Sequence, residues 1–307
     1  VGDPANDRLR VDAETVRARV IGEGANLGIT QAARIAFSQK GGRINTDFID
    51  NSAGVDCSDN EVNIKIALNK EVREGRLGAD ARNTMLSAMT DDVAALVLAD
   101  NRAQALALSI AERGGVRALP SIIRLIERFE SEGRLDRKVE GLASNDELLR
   151  RAQDLRGLTR PELAVILSTA KRAIQQDVEA AGLGRDALME GELLAAFPHA
   201  MVEQHRAALL AHQLRNEIVA TKVANRLINR MGLVHPFELA EEEGVGMGEV
   251  AAAFVVAEQL FGLAGLWAAI DDADVAEQVR LTLYEEVAVE LRAHMADLIR
   301  NAVTGRS

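Results

Sequence analysis

Residues 20–50 read VIGEGANLGITQAARIAFSQKGGRINTDFID, and this stretch decides which fold is expected at the beginning of the chain. Its short apolar runs alternate with glycine, asparagine and aspartate, and helical spacing is confined to its middle part. Gly41 and Gly42 are suited to end that helix, because glycine adopts positive φ without a steric penalty. The pattern predicts, in order, a strand over 18–21, a turn over 22–28, a helix over 30–39 and a second strand over 47–50. Such a series makes up half of an α/β nucleotide-type unit.

The rest of the chain is predicted to be helical. Ser58 and Glu61 fit a capping box, in which each side chain bonds to a backbone amide near the start of a helix. From Asp80 onward, apolar residues recur almost only at helical spacings. The predicted fold is therefore mainly α: a small, incomplete Rossmann-like α/β segment at the N-terminus, followed by an all-helical domain. The expected domain boundaries are 1–78 for the first part and 79–307 for the helical domain.

Two later segments predict how the helices pack. Residues 250–261 are apolar on all sides, which is typical of a buried helix and argues against a DNA-reading helix-turn-helix at this position. The last long helix has an apolar stripe at spacings of four and three residues, which is expected to face neighbouring helices. The stripe consists of Val279, Leu283, Val287, Leu291, Met295 and Leu298.

Composition and charge exclude several classes of protein. The chain has 307 residues, with 36 Lys and Arg against 47 Asp and Glu, which gives 36 − 47 = −11 charges. This balance argues against a nucleic-acid partner. The single cysteine excludes an internal disulfide framework, and no His pair has the spacing of a zinc helix, so no metal site is expected. Without a secretory signal or an unbroken apolar span, we expect a cytoplasmic protein without a membrane partner.

Two motifs are candidates for chemistry, and each allows a second interpretation. Residues 22–28 follow a G-x-G-x-x-x-G pattern, one place longer than the dinucleotide fingerprint, with Asp47 and Asp50 at the position of its acidic residue. Alternatively, these glycines serve only the geometry of a tight turn. Residues 51–58 form a loop of small residues before the predicted helix. Ser58 is suited to bind a carboxylate there, or only to cap the helix. The neighbouring Cys57 is expected to be a structural thiol.

Taken together and in order, these segments resemble glutamate dehydrogenases. Residues 20–31 (VIGEGANLGITQ) are similar to the Glu-Gly-Ala-Asn segment of that family. Three further segments resemble the large bacterial NAD-specific class of the family. They are residues 41–47 (GGRINTD), 50–59 (DNSAGVDCSD) and 61–65 (EVNIK). Weaker similarity continues through residues 89–93 (MTDDV), 133–137 (GRLDR) and 157–164 (GLTRPELA), so the resemblance covers most of the chain.

The resemblance implies an oxidoreductase that converts L-glutamate to 2-oxoglutarate and ammonia and passes a hydride to NAD. It places Gly24 and Asn26 at the cofactor, with Asn26 beside the nicotinamide ribose. Asn51 is implied to lie beside both the nicotinamide amide and the substrate. Ser58 is implied to bind the side-chain carboxylate of glutamate. The sequence departs from the family pattern at two positions, with Ala53 in place of the usual Gly and Gly28 in place of the Pro of small members.

The resemblance also implies that the chain is part of a longer enzyme. The dinucleotide fingerprint and the catalytic Lys and Asp of the family have no counterpart here, so no catalytic residue is expected in this chain. Since the sequence also lacks an initial Met, we expect a C-terminal fragment that is inactive alone. Its expected partners are the remainder of the parent catalytic chain and further copies in a homo-oligomer. Two alternatives remain: a self-sufficient NAD-binding protein, and a helical interaction or oligomerisation module without a ligand site.

Overall fold

The computed structural model describes residues 11–304, and of residues 303 and 304 it describes only the backbone. The protein is mainly α, with 74% of the described residues in helices. Two short strands, Val20–Ile21 (β1) and Arg43–Ile44 (β2), make up the sheet of the described residues. The α-helices are Gln31–Gln39 (α1), Asp47–Asp50 (α2), Ser52–Arg73 (α3), Ala79–Ala88 (α4), Thr90–Ser131 (α5), Asn145–Gln153 (α6), Arg160–Ala180 (α7), Glu190–Leu194 (α8), His199–Leu210 (α9), Arg215–Met231 (α10), His235–Glu243 (α11), Met247–Leu260 (α12), Leu263–Asp272 (α13) and Glu277–Thr304 (α14).

The chain forms two compact units, and each combines segments that are distant in sequence. Among the described residues, the first unit comprises 11–52 and 114–166, and the second comprises 53–113 and 167–304. The chain therefore passes from one unit to the other within α3, α5 and α7. These compact units are not the same as the sequence domains predicted over 1–78 and 79–307. The domain boundary after residue 78 stays a prediction.

A parallel β-α-β crossover forms the beginning of the first unit. Strands β1 and β2 pair in parallel, with Val20 opposite Arg43 and Ile21 opposite Ile44, and α1 connects them. The hydroxyl of Thr30 caps α1 by accepting the amide of Ala33 at 3.3 Å. Of the strand predicted over 18–21, residues 20 and 21 are confirmed, and the helix predicted over 30–39 is confirmed over residues 31–39.

Glycines end α1 as the sequence predicts, and the structure explains both of them. Gly41 has φ of +88°, a conformation that favours glycine. Gly42 passes close to the buried ring of Phe37, so that a Cβ atom at this position would lie 2.3 Å from the ring. The two glycines therefore provide a turn and a close approach between α1 and β2.

The second predicted strand is wrong. Residues 47–50 form the helical turn α2, in which the amides of Ile49 and Asp50 bond to the carbonyl of Thr46 at 3.2 and 3.0 Å. The strand β2 lies earlier, at Arg43–Ile44. The physical reason is that aspartates are poor strand formers whose side chains bond readily to nearby backbone amides. Both aspartates of this turn make such bonds with the loop over 22–28.

The predicted helix start at Ser58 is also wrong. Helix α3 begins at Ser52, six positions earlier, and residues 52–58 continue it without a break. Instead of capping the helix, the Ser58 hydroxyl donates to the carbonyl of Gly54 at 3.3 Å, one turn back. Ala53 lies within this helix, so the site of its departure from the family pattern has ordinary helical backbone. The local signal is misleading because small residues are compatible both with a loop and with a helical turn.

The core of the second unit lies among its last helices. As predicted, α12 is largely buried, with Val250, Ala251, Phe254 and Val255 fully covered. The buried face of α14 differs in part from the predicted stripe. Within that stripe, Leu291 and Met295 are buried but Val279 is 49% exposed. The face that packs against neighbouring helices consists of Leu281, Tyr284, Ala288, Leu291, Met295, Ala296 and Ile299.

One described helix, α5, is long and apolar enough to cross a membrane, judged by length and composition alone. Gly115 interrupts this helix with φ of 50° and ψ of −136°. Its first half also carries Asp100, which pairs with Lys222 of α10 at 2.7 Å. A second candidate, formed by α12 and α13 with a bend of 74°, contains the core helix of the second unit. Core helices of globular proteins pass the same test, so both findings are weak evidence for a membrane span.

Candidate functional site

The structure brings together Asn26 and Asn51, which are 25 positions apart in sequence. The Nδ2 atom of Asn51 donates a hydrogen bond to Oδ1 of Asn26 at 2.9 Å. Asn26 is exposed on its loop, whereas Asn51 is half-buried and ends the turn α2. The two asparagines therefore form one polar surface feature, with an amide group that remains accessible.

The loop that carries Asn26 is held at both ends by aspartates of α2. The Oδ2 atom of Asp50 accepts the amide of Glu23 at 2.9 Å, and Oδ2 of Asp47 accepts the amide of Leu27 at 2.8 Å. Between these anchors, the amides of residues 24–26 have no hydrogen-bond partner among residues 11–304. Both carboxylates are thus engaged with the protein's own loop, which removes the basis for interpreting them as the acidic residue of a dinucleotide fingerprint.

The glycines of this loop are not required by its own conformation. A Cβ atom at Gly22 or Gly24 would meet nothing within 4 Å, and neither residue has positive φ. The left-handed conformation falls instead on Leu27, with φ of 57° and a side chain that is 88% exposed. Positive φ is uncommon at a residue other than glycine, and such outliers cluster at binding sites. Turn geometry alone therefore does not explain why this loop is rich in glycine.

A buried cluster of charges lies beneath the loop, and sequence analysis missed it. Arg34 of α1 forms a two-pronged ion pair with Glu23, from Nε to Oε1 at 2.6 Å and from Nη2 to Oε2 at 2.7 Å. Its Nη2 atom also lies 3.0 Å from Oδ1 of Asp47. All three residues are buried. The available signal was the position of Arg34 three residues before Phe37, on the buried face of α1.

The contacts within this cluster favour the charged forms of Asp47 and Arg34. Burial alone raises the pKa of Asp47, but the amide of Leu27, the guanidinium of Arg34 and the amide of Phe48 together hold this pKa below its ordinary value. Burial likewise lowers the pKa of Arg34, and its contacts with Glu23 and Asp47 raise it above the ordinary value. Asp47 and Arg34 therefore carry fixed charges at neutral pH.

The start of α7 supports the same loop from a second side. The Nε atom of Arg160 donates to Oδ1 of Asn45 at 2.8 Å, and Nδ2 of Asn45 donates to Oδ1 of Asp50 at 2.7 Å. In addition, the side chain of Gln31 donates to the carbonyl of Pro161 at 3.0 Å. Arg160 and Pro161 belong to residues 157–164, one of the segments of weaker resemblance. This segment thus contributes to the frame that positions Asp50 and, through it, Glu23.

The structure places Ser58 two turns inside α3, in the second unit, with an exposed side chain. The amides at the start of this helix belong to residues that directly follow Asn51, so the helix N-terminus lies at Asn51 and not at Ser58. Cys57 is a free, exposed thiol. Within residues 11–304, no group of three or more His, Cys, Asp or Glu side chains is arranged to hold a metal ion.

Two families of known proteins match the two ends of the chain. Residues 1–111 match the family described as bacterial NAD-glutamate dehydrogenase, catalytic domain, and residues 155–305 match the family described as glutamate dehydrogenase, C-terminal. The chain belongs to the bacterial NAD-glutamate dehydrogenase family. The resemblance stated from the sequence motifs is thereby confirmed, including its assignment to a C-terminal portion of these proteins.

Three curated relatives, each named NAD-specific glutamate dehydrogenase, show the extent of the match. The protein of Halomonas elongata is 42% identical over 294 residues, or 95% of this chain. The Pseudomonas aeruginosa protein is 43% identical over 289 residues (94%), and that of Mycobacterium tuberculosis is 41% identical over 285 residues (92%). The chain covers 18% of the length of each relative.

Proposed function

We propose that the protein containing this chain is an NAD-dependent dehydrogenase that oxidises L-glutamate to 2-oxoglutarate and ammonia. In this proposal the chain contributes loops that contact the nicotinamide and the substrate, whereas the acid/base Lys and Asp are supplied by the remainder of the parent protein. The observation that carries the proposal is the pairing of Asn26 with Asn51, since it joins the two motifs that resemble the family's cofactor and substrate contacts.

The loop over 22–28 fits a bound cofactor. Open space at the Cβ positions of Gly22 and Gly24 allows a ligand to approach the backbone. The amides of residues 24–26 have no partner in the described part of the chain, so they can donate to a ligand. When bound, NAD supplies the acceptor for the hydride that leaves glutamate. Gly24 and Asn26 would hold the cofactor on its ribose side, and the half-buried Asn51 would orient the nicotinamide.

Asn51 and Ser58 are the proposed substrate contacts. The Ser58 side chain is exposed, and its hydroxyl donates a long hydrogen bond to the carbonyl of Gly54 at 3.3 Å. Rotation about one side-chain bond would direct the same proton to a carboxylate. In this role Ser58 acts as a single donor rather than through the helix terminus, because that terminus lies at the beginning of α3.

The remaining parts of the proposal concern architecture. The crossover β1-α1-β2 is compatible with the end of a Rossmann-like sheet that is completed by the parent protein, and the 65% exposure of Val20 on β1 supports this. We place the boundary of the catalytic domain near residue 78, with a helical domain over 79–307. We further propose a cytoplasmic homo-oligomer.

The proposal is tested by alanine substitutions in the full-length protein, with glutamate-dependent reduction of NAD as the assay. Because Asn51 and Ser58 are placed at the substrate, Asn51→Ala and Ser58→Ala are expected to raise the KM for glutamate about tenfold or more, as the loss of one hydrogen bond to a charged group does. Asn26→Ala is expected to raise the KM for NAD. Matched controls are Asn83→Ala and Ser87→Ala, which change exposed side chains of α4.

Unchanged kinetics of the Asn51 and Ser58 variants would favour a different function, that of a helical interaction module. One feature of the second unit supports this alternative. Helices α3, α4 and α5 border an open, largely apolar groove of ≈ 670 Å³, lined by residues that include Ile64, Met89, Val93 and Val97. Open apolar grooves of this kind are typical of surfaces that bind another protein segment.

A further inference from the structure

The buried cluster around Arg34 has a geometry that links it to the candidate cofactor loop. The guanidinium contacts both oxygens of Glu23 and one oxygen of Asp47. The side chains of Arg34, Glu23 and Asp47 are only 6%, 3% and 10% exposed. A planar guanidinium that serves two carboxylates in this way fixes their relative position, which a lysine ammonium does not do equally well.

The two carboxylates are attached to opposite ends of the loop. Glu23 is itself the first residue of the segment that leads to Asn26. Asp47 holds the other end, since its Oδ2 atom accepts the amide of Leu27 at 2.8 Å. The residues between these ends are exposed and have no hydrogen bond of their backbone amides to any described residue. The position of Asn26 therefore depends on its flanking anchors, and two of the three anchors converge on Arg34.

We propose that Arg34 is the positioning residue of the cofactor loop, which keeps Asn26 where it meets the nicotinamide ribose. This inference rests on the proposed function. Arg34 is buried under the loop and acts through Glu23 and Asp47, without touching cofactor or substrate itself. The ion pairs of Arg34 thus set the affinity for NAD by preorganising the loop, because a loop that is already in its binding conformation loses less entropy on binding.

Removing the guanidinium is expected to displace the loop rather than unfold the protein. Glu23 has no side-chain partner other than Arg34 among the described residues, so its carboxylate would be left buried and uncompensated. A buried charge without a partner moves toward water. In contrast, Asp47 keeps the amides of Leu27 and Phe48 as donors. The beginning of the loop would therefore shift while its end stays attached.

The first test compares Arg34→Met and Arg34→Lys with wild type in the full-length protein. Because Asn26 is placed at the cofactor, Arg34→Met is expected to raise the KM for NAD about tenfold or more, while the KM for glutamate changes less than about threefold. Arg34→Lys should lie between wild type and Arg34→Met, since an ammonium keeps the charge but loses the two-pronged geometry. The matched control is Arg150→Met, which removes an arginine of the same unit whose side chain is 71% exposed.

The second test is a rescue. The double variant Arg34→Met/Glu23→Gln removes the uncompensated charge together with the arginine, so its KM for NAD is expected to fall part of the way back, and to stay above the wild-type value because the guanidinium that fixes Glu23 and Asp47 is still missing. A loss of folded protein would instead lower kcat for the Arg34 variants and leave both of their KM values unchanged. An unchanged KM for NAD in Arg34→Met would overturn the inference. If wild type itself does not reduce NAD with glutamate, the proposed function fails and this inference fails with it, whereas an active wild type with an unchanged KM in Arg34→Met overturns the inference alone.

Discussion

At the scale of single residues, the site depends on polar groups whose partners are distant in sequence. Asn26 meets Asn51, and Asp47 supports both Arg34 and the amide of Leu27. These groups are satisfied by one another, which is the usual requirement for buried polar atoms. Elsewhere in the chain, one buried charged group has few such partners.

Lys171 of α7 is such a residue. It is 9% exposed, and its Nζ atom donates to Oε1 of Gln104 at 3.2 Å. Burial lowers the pKa of Lys171 to about 8, although the nearby carboxylate of Asp100 acts in the opposite direction. Since the pKa in the folded state lies below that of an unfolded lysine, the charged form weakens the folded state at every pH below about 8. This penalty fades as the pH rises toward 10.5.

We therefore predict that Lys171→Met stabilises the protein by about 1–3 kcal/mol at pH 7. The advantage over wild type should shrink between pH 8 and pH 10.5, because wild-type Lys171 becomes neutral in the folded state over this range. Thermal unfolding measured across this pH range is the test. Lys65→Met, at an exposed lysine that pairs with Glu61, is the control and should show no such trend. Greater stability of wild type at pH 7 would contradict the prediction.

At the scale of secondary-structure elements, the beginning of the first unit is defined by its connections. The crossover from β1 through α1 to β2 uses a Thr30 cap at one end of the helix and two glycines at the other. Helix α3 starts directly after Asn51, so that the turn α2 and the helix follow one another without a loop. This arrangement brings the end of α2 to the loop over 22–28.

Gly42 gives a sharp test of the connection between α1 and β2. Because an added Cβ would lie 2.3 Å from the buried Phe37 ring, Gly42→Ala is expected to destabilise this unit by about 1–3 kcal/mol. Hydrogen exchange of the amides in α1 and β2 measures the effect locally, as faster exchange than in wild type. Gly22→Ala is the control, since nothing lies within 4 Å of its Cβ position, and it should leave exchange unchanged. Equal exchange in both variants would show that Phe37 moves aside without cost.

At the scale of the whole molecule, the chain corresponds to one part of its longer relatives. The chain covers 18% of the length of its curated relatives, and the two strands of its sheet are only two residues long. The family resemblance assigns the catalytic Lys and Asp to positions that this sequence lacks. In the proposed function, the site residues named here would position ligands, and the proton transfers would fall to the remainder of the parent protein.

We predict that the 307-residue chain alone does not reduce NAD in the presence of glutamate, whereas the full-length protein does. Spectrophotometric detection of NADH with both purified proteins is the test. The Ser58→Ala variant of the full-length protein shows whether the detected activity depends on the proposed glutamate contact. Isothermal titration calorimetry of the chain with NAD provides a second measurement. Micromolar binding by the chain alone would favour the self-sufficient NAD-binding protein, and activity of the chain would refute the prediction.

The sequence by itself determined the features that depend on neighbouring residues. The 3.6-residue spacing of apolar side chains gives the helices, Gly41 and Gly42 mark the end of α1, and the composition of α12 gives its burial. The motifs at residues 20–31 and 50–59 were also sufficient to identify the family. All of these signals are local, because helix formation and motif identity involve residues within a few turns of one another.

Only the tertiary structure decided which of these segments meet. The start of α3, the turn at Asp47–Asp50 and the buried face of α14 were misassigned or only partly predicted, because contacts made elsewhere in the chain select between locally similar alternatives. The pairing of Asn26 with Asn51 and the burial of Arg34 between two carboxylates have the same origin. Hydrogen bonds between residues 11 to 27 positions apart leave no periodic trace in a sequence, so the candidate site becomes visible only when the chain is folded.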